Sequence, residues 1–195
     1  MTDSAASRPG KRERLIESAR ALLHEQGVQR TTIAEVAERA QVPPGNVYYY
    51  FKTKDELVGA VLDTYAAEAA RLIAAFERRA TPQARLKALV RTWDEMRDAV
   101  ARHGCPMGTL CSELDKGESG LDHQGAGVLR LIVDWAEGQF RQLGRPDARD
   151  LALALFSGIQ GAALLANTFR DPEILRGQTR HLERWIDSVA EAGQA

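Results

Sequence analysis

Apolar residues recur at helical spacing along most of the chain, and this pattern predicts an all-α fold. Gly27 is predicted to end the first helix, and the glycine-rich segment 117–127 is predicted to be a loop. The predicted helices cover residues 11–26, 33–40, 44–51, 54–79, 82–103, 106–116, 126–143, 147–169 and 172–190.

Residues 31–57 predict two short helices that are separated by a tight turn. Thr31 or Thr32 can cap the first helix, and Glu35 stands three residues after Thr32, as a capping box requires. The second helix is predicted to begin at Pro44, because proline is well tolerated at the first position of a helix. This arrangement is typical of a helix-turn-helix unit.

The second of these helices has an unusual outward surface for a protein in water. Val47 and Phe51 lie four residues apart and are predicted to point into the core. The residues left outside are Gly45, Asn46, Tyr48, Tyr49 and Tyr50. An asparagine can pair bidentately with adenine in the major groove, and tyrosine hydroxyls are common donors to phosphate. Binding to DNA therefore competes with a simpler interpretation, in which the tyrosines pack on a neighbouring structure.

A long stretch of this unit closely resembles the DNA-binding domain of the TetR family of transcriptional repressors: T-x-x-x-V-A-x-x-A-x-V-x-x-G-N-V-Y-Y-Y-F-K-T-K-D-E-L. The resemblance implies an all-helical, usually dimeric regulator, with a helix-turn-helix domain over residues 1–53 and a ligand-binding and dimerisation domain over residues 54–195. It also implies contacts with double-stranded operator DNA by Thr32, Gly45, Asn46, Tyr48, Tyr49 and Lys54.

Two positions depart from the pattern of that family. Many members have glycine where this chain has Gln41, and serine or threonine where it has Pro43. Proline cannot supply a side-chain cap to the second helix, so no contact with DNA is assigned to Pro43.

Charge is unevenly distributed, although the formal net charge of the chain is only -1. Residues 1–54 carry nine basic and six acidic side chains, so the remaining residues carry a net charge of -4. A mildly basic N-terminal part on an acidic body favours a DNA-binding protein with a separate sensing part. It disfavours a non-specific architectural DNA protein, which would need more positive charge. Arg8, Lys11 and Arg12 form a basic arm that is either a solubilising tail or a DNA contact.

In the C-terminal part, one helix is predicted to act as a rigid lever between the two domains, and two others are predicted to form a dimer interface. Helix 54–79 would be about 38 Å long, which is enough to connect the two domains without a flexible linker. Helix 147–169 is apolar on nearly every face and needs cover all round. With helix 172–190 it is predicted to form half of a four-helix interface in a homodimer; the alternative is a core helix of a monomer.

We expect the chain to be cytoplasmic and free of membrane contact. Its N-terminus lacks the apolar core of a signal peptide, and no apolar run is expected to reach the length of a membrane span. In that compartment the two cysteines would be reduced at rest.

A ligand-responsive repressor needs a site for a small-molecule inducer, whose identity the sequence does not disclose. The candidates in the body are apolar residues at helical spacing together with one polar side chain, and each could equally be plain core. They are Trp93, Met96, Cys105, Leu110, Trp135, Phe156 and Gln160. A ligand that filled this site would tilt helix 54–79 and release the operator.

Cys105 offers a second hypothesis for sensing. It precedes Pro106 at a predicted helix start, where the helix dipole lowers the pKa of a thiol, and the body has some similarity to family members that sense electrophiles or drugs. The alternatives are an inert buried thiol, or a helical enzyme that uses Cys105 with His103 or His123. No recognisable catalytic set supports an enzyme, and the spacing of cysteines and histidines predicts neither a metal site nor a cofactor.

Overall fold

A computed structural model describes residues 9–115 and 120–192, and within these ranges the ordered elements are all helices. The all-α prediction is therefore confirmed. The helices are α1 Lys11–Arg30, α2 Ile33–Arg39, α3 Pro44–Tyr50, α4 Lys54–Phe76, α5 Pro82–Glu95, α6 Arg97–His103, α7 Pro106–Leu114, α8 Leu121–Gln142, α9 Ala148–Phe169 and α10 Glu173–Ala192. We call α1 to α3 the head and the other helices the body.

The two short helices of the head form as the sequence predicts. Thr32 caps α2 by accepting a hydrogen bond from the backbone N–H of Glu35 at 3.2 Å, and the Glu35 carboxylate accepts one from the backbone N–H of Thr32 at 2.8 Å. Helix α3 begins at Pro44 without a side-chain cap. Val47 and Phe51 are buried in the core of the head, which fixes the opposite face of α3 towards solvent.

Helix α1 does not end at Gly27, where the sequence predicts its end. It breaks there, with φ of 84° and ψ of 171° at Gly27, and helical structure resumes as far as Arg30. The break frees the backbone N–H of Val28, which donates to the Glu113 carboxylate of α7 at 2.6 Å. The Val28 N–H, which the break leaves without a partner inside the helix, is thus satisfied by a tertiary hydrogen bond.

Two further helix boundaries in the body differ from the prediction. The segment 82–103 is two helices, because Met96 leaves helical geometry with φ of -97° and ψ of 6°. The lever helix α4 ends at Phe76 rather than at Arg79. Neither break follows a glycine or a proline, so the sequence carried no local signal for it.

The prediction of a loop over the glycine-rich segment 117–127 is wrong for residues 121–127, which belong to α8. Residues 116–119 lie outside the described ranges, and the predicted end of helix 106–116 falls among them. Gly125 lies where α8 crosses α7, and a Cβ atom at this position would approach the Sγ of Cys111 to 3.1 Å. Close helix packing therefore accounts for this glycine within a helix.

Two clusters of buried apolar residues hold the molecule together. The first joins the head to the start of α4 and also takes in Leu110, Leu114 and Val128 from the body. The second lies among α4, α5, α6, α8, α9 and α10. Because α4 contributes to both clusters, it connects the core of the head to the core of the body.

Helix α9 is buried on one side only. Its exposed apolar residues are Leu153, Leu164, Leu165 and Phe169. The expectation that no apolar segment reaches the length of a membrane span is wrong for this helix. By length and composition alone, α9 is long and apolar enough to cross a membrane. Its other side packs against α6, α8 and α10, as in a core helix of a helical bundle.

Candidate DNA-binding surface and effector cavity

Helix α3 presents its tyrosines to solvent. Tyr49 is 79% exposed and Tyr48 is 54% exposed, whereas Tyr50 is half-buried and meets the ring of Tyr49 edge to face at 5.1 Å. Gly45 at the start of the helix is exposed, with open space where a Cβ would lie, and the neighbouring Asn46 is half-exposed. The four predicted DNA contacts of α3 therefore occupy one accessible end of the head.

Thr32 and Lys54, the other two predicted DNA contacts, already have partners within the chain. The N–H and the hydroxyl of Thr32 both donate to the Glu35 carboxylate at 2.8 Å, and these hydrogen bonds lower the pKa of Glu35. The Nζ of Lys54 donates to the carbonyl oxygen of Val28, which fastens the start of α4 to the end of α1. A phosphate oxygen would compete with these partners.

The basic side chains near α3 differ in how far their charge is already paired within the chain. Lys52 follows α3 and is exposed, although its Nζ donates to the carbonyl oxygen of Tyr48 at 2.6 Å. The guanidinium of Arg12 lies over the ring of Phe51, 5.3 Å from its centroid. Arg39 is held by two hydrogen bonds of 2.6 Å to Glu25 and contributes less free positive charge. Lys52 and Arg12 therefore both place positive charge beside α3.

The body contains an apolar cavity of about 90 Å³ between the lever helix and α5. It includes three of the predicted ligand-binding residues, Trp93, Met96 and Cys105. The other residues around it are Arg20, Tyr65, Glu68, Ala69, Leu72, Ile73, Phe76, Leu89, Thr92, Pro106, Met107 and Ile132. One of these, Arg20, belongs to α1, so the cavity touches the head directly.

The four remaining candidates lie elsewhere. Leu110 is part of the core that joins the head to the body, and Phe156 packs edge to face on Trp93, with the ring centroids 6.0 Å apart. Trp135 packs on Phe76 and donates its Nε1–H to Glu77 at 2.7 Å. Gln160 lines a separate open cleft between α7 and α9.

The rim of the cavity holds an ion pair that the sequence did not reveal. The guanidinium of Arg20 on α1 lies 2.5 Å from the Glu68 carboxylate on α4, and it also lies over the Tyr65 ring at 4.9 Å. Burial raises the pKa of Tyr65, which stays neutral. Tyr65, Glu68 and Leu72 follow helical spacing on one face of α4, and that spacing was the available signal that the lever helix also lines a site.

A second set of contacts docks α1 on the α6–α7 junction. The Nε2 of His24 lies 2.9 Å from the carbonyl oxygen of Gly104, and the ring of His24 meets that of His103 edge to face at 5.4 Å. Burial lowers the pKa of His24, so the ring is neutral and donates its Nε2–H to that oxygen. Together with the bond from Val28 to Glu113, this contact ties the head to the segment that carries Cys105.

The two cysteines have different surroundings. The Sγ of Cys105 accepts from the Gly108 N–H at 3.4 Å and from the Gln160 amide at 3.6 Å, and Cys105 lines both the cavity and the open cleft. Burial raises the pKa of Cys111 to about 11, which keeps that thiol protonated and unreactive. Among the described residues, no group of three or more His, Cys, Asp and Glu side chains is placed to hold a metal ion.

Two family models match the chain. Residues 15–61 match the family described as bacterial regulatory proteins, tetR family, and residues 82–181 match the C-terminal domain of LmrA/YxaF-like transcriptional regulators. The chain belongs to the TetR family. It is thus a DNA-binding transcriptional regulator, and repression and homodimer formation are typical of this family.

Relatives that match over most of their length agree with this assignment. The chain is 30% identical to the transcriptional regulator AcuR of Cereibacter sphaeroides, over 87% of this chain and 82% of the relative. It is 31% identical to the HTH-type transcriptional regulator TtgR of Pseudomonas putida, over 91% of this chain and 88% of the relative. A TetR transcriptional regulator from Legionella pneumophila shares the fold, with a TM-score of 0.83 at 19% identity, over 93% of this chain and 98% of that one. These relatives are transcriptional regulators rather than enzymes.

Proposed function

We propose that this TetR-family chain is a ligand-responsive repressor, which binds operator DNA as a homodimer and leaves it when a small-molecule inducer fills the cavity. Residues 1–53 would read DNA, residues 54–195 would bind the ligand and the second subunit, and the protein would act in the cytoplasm. The observation that carries the proposal is the pairing of Arg20 on α1 with Glu68 on α4 at the rim of the cavity. A ligand in the cavity that displaced Arg20 or Glu68 would therefore act on a contact between the head and the body.

Helix α3 is suited to the major groove because its exposed face carries groups that bond to bases and phosphates. Asn46 would pair with a base edge, and Tyr48 and Tyr49 would donate their hydroxyls to phosphates or bases. Two heads in a symmetric dimer would occupy half-sites about one helical turn, or roughly 34 Å, apart.

The exposed side of α9 is suited to cover by a second copy of the chain. Leu164 is 67% exposed and Phe169 is 64% exposed on a helix whose other side is core. Gly161, about one turn before Leu164, is exposed and has open space where a Cβ would lie, so another helix can come close. A two-fold axis beside α9 and α10 would form a four-helix interface and present two heads to DNA.

The size of the cavity indicates how a ligand would act. At about 90 Å³ it is smaller than the roughly 300–1,000 Å³ of typical ligand sites, so a ligand must push its walls apart. One wall is α4, whose first residue, Lys54, is bonded to Val28 of α1. Movement of α4 would therefore move the head, and a ligand that binds the displaced state more tightly would lower affinity for the operator.

The proposal can be tested with operator DNA that the full-length protein selects from a random duplex pool. The selected sequences should contain inverted half-sites, and compounds found by screening should release the protein from them. Ala69 is buried in the cavity wall, so Ala69→Met should fill the cavity and abolish release while binding to DNA persists. An equal response of wild type and Ala69→Met to every active compound would contradict the assignment of this cavity.

A second candidate function is thiol sensing through Cys105. The two N–H donors that point at its sulfur would stabilise a thiolate, and the position in the cavity wall gives a small electrophile a route to it. Treatment with N-ethylmaleimide should then release the wild type and Cys111→Ser from operator DNA, but not Cys105→Ser. Equal release of all three proteins would exclude this mechanism.

A further inference from the structure

One residue of the cavity wall, Trp93, has a buried indole N–H with no acceptor. Trp93 lines the cavity and is only 3% exposed, and its Nε1 is buried without a hydrogen-bond partner. Among the described residues, the other buried side-chain polar atom without a hydrogen bond is Asp94 Oδ1, which lies 3.7 Å from the Arg97 guanidinium and has its charge compensated. Trp93 is therefore the uncompensated donor of this region, and buried donors are normally paired.

The charged groups at the rim are not free for a ligand. Arg20 and Glu68 neutralise each other at 2.5 Å, and Tyr65 covers the guanidinium. A carboxylate or ammonium group on a ligand would have to break this pair, and it would leave a partly buried charge behind. The hydroxyl of Thr92, also in the wall, already donates to the carbonyl oxygen of Ala88 at 3.1 Å.

The rest of the wall is aliphatic, aromatic and sulfur-containing. Leu72 is exposed at one side of the cavity, and the buried Phe76 lies on the same helix. A compact apolar ligand would therefore enter beside α4. A charged group among these side chains would be strongly disfavoured, whereas an apolar ring gains from leaving water.

We propose that the cavity selects an uncharged, compact and mainly apolar ligand that carries one hydrogen-bond acceptor, such as the carbonyl oxygen of an aryl ketone, which accepts from Trp93 Nε1–H. This inference rests on the proposed function, because it names the ligand class of the same cavity. Trp93 is the specificity-determining residue, and the ion pair of Arg20 with Glu68 excludes charged analogues.

Three probes of nearly the same shape separate these features. Acetophenone has the carbonyl acceptor, α-methylstyrene has a methylene group in its place, and benzoate has a carboxylate. Binding is measured by calorimetry on the full-length protein without DNA. Acetophenone should bind about tenfold more tightly than α-methylstyrene, and benzoate should bind more weakly than either.

The variant Trp93→Phe removes the donor and enlarges the cavity for all probes alike. The preference for acetophenone over α-methylstyrene should therefore disappear in Trp93→Phe, whatever the absolute affinities. Trp185→Phe is the matched control, because Trp185 packs on Phe140 away from the cavity, and it should retain the preference.

Three results would overturn the inference: benzoate binding at least as tightly as acetophenone, an unchanged preference in Trp93→Phe, or no binding of any probe at millimolar concentration. Release of the operator is measured separately. If acetophenone binds with the expected preference and leaves operator DNA bound, the ligand class stands and the repressor mechanism fails.

Discussion

Val28 in the last turn of α1 donates its backbone N–H to the side-chain carboxylate of Glu113 on α7 at 2.6 Å. The bond exists because Gly27 breaks the helix one residue earlier, in a backbone conformation that is open essentially only to glycine. The head is thus bonded to the body at a point where its own helix has been interrupted. With the contacts of His24 to Gly104 and of Arg20 to Glu68, this joint fastens α1 to the body at three points.

Gly27→Ala should destabilise the protein by about 1–3 kcal/mol. The φ of 84° strains any residue with a Cβ, and that Cβ would lie 2.7 Å from the Glu113 carboxylate, which cannot move without losing its bond to Val28. Urea unfolding measures the change. Gly127→Ala, at an exposed position inside α8 with open space around it, is the control and should stabilise by about 0.5–1 kcal/mol. Equal effects at the two sites would contradict a strained joint.

Gln41→Gly should stabilise the protein by about 1 kcal/mol. Gln41 has a φ of 53° in the turn between α2 and α3, a conformation that glycine adopts without a steric penalty, and glycine is common there in the family that the sequence resembles. Gln41→Ala retains the Cβ and should give no such gain, which separates backbone strain from the loss of a side chain. Thermal or urea unfolding of both variants checks the difference.

His24 makes stability depend on pH. Burial lowers its pKa below the ordinary value of 6.5, the nearby charges of His103 and Arg20 act in the same direction, and the hydrogen bond to Gly104 and the charge of Glu25 oppose them. Between the folded-state pKa and 6.5 the unfolded chain binds a proton that the folded chain does not, so the free energy of unfolding falls as the pH drops through this window.

His24→Gln preserves a donor to Gly104 and removes the titration. The loss of unfolding free energy between about pH 7.5 and about pH 5.5 should therefore be smaller in this variant than in the wild type. His123→Gln, at an exposed position of α8, should leave the wild-type dependence intact. An identical pH dependence in wild type and His24→Gln would exclude this role.

Leu164→Asp should convert the protein to a monomer, because it places a charge on the exposed apolar side of α9 that we assign to the interface. Sedimentation velocity measures the oligomeric state. Operator affinity should fall by at least about 100-fold, since two linked heads bind two half-sites far more tightly than one. Leu131→Asp, at an exposed position of α8, is the control and should remain dimeric. A dimeric Leu164→Asp would contradict the interface.

The helices α2 and α3 of the head could be predicted closely from the sequence because their signals are local. Thr32 and Glu35 are three residues apart, and their capping box forms as expected. The cavity could not be predicted in the same way, because Arg20 and Glu68 meet only through tertiary packing of α1 on α4. The helix break at Met96 could not be predicted either, because no glycine or proline marks it. There α5, which packs on α10, gives way to α6, which packs on α9.

The most direct test of the account is binding of the double variant Tyr48→Ala/Tyr49→Ala to the selected operator, measured by fluorescence anisotropy. Both side chains are exposed, so the midpoint of urea unfolding should be the same in the variant as in the wild type. His123→Ala, at an exposed position of α8, is the remote control. We predict that operator affinity falls at least about tenfold in the double variant and not in the control. Wild-type affinity in the double variant would contradict the claim that α3 reads the DNA.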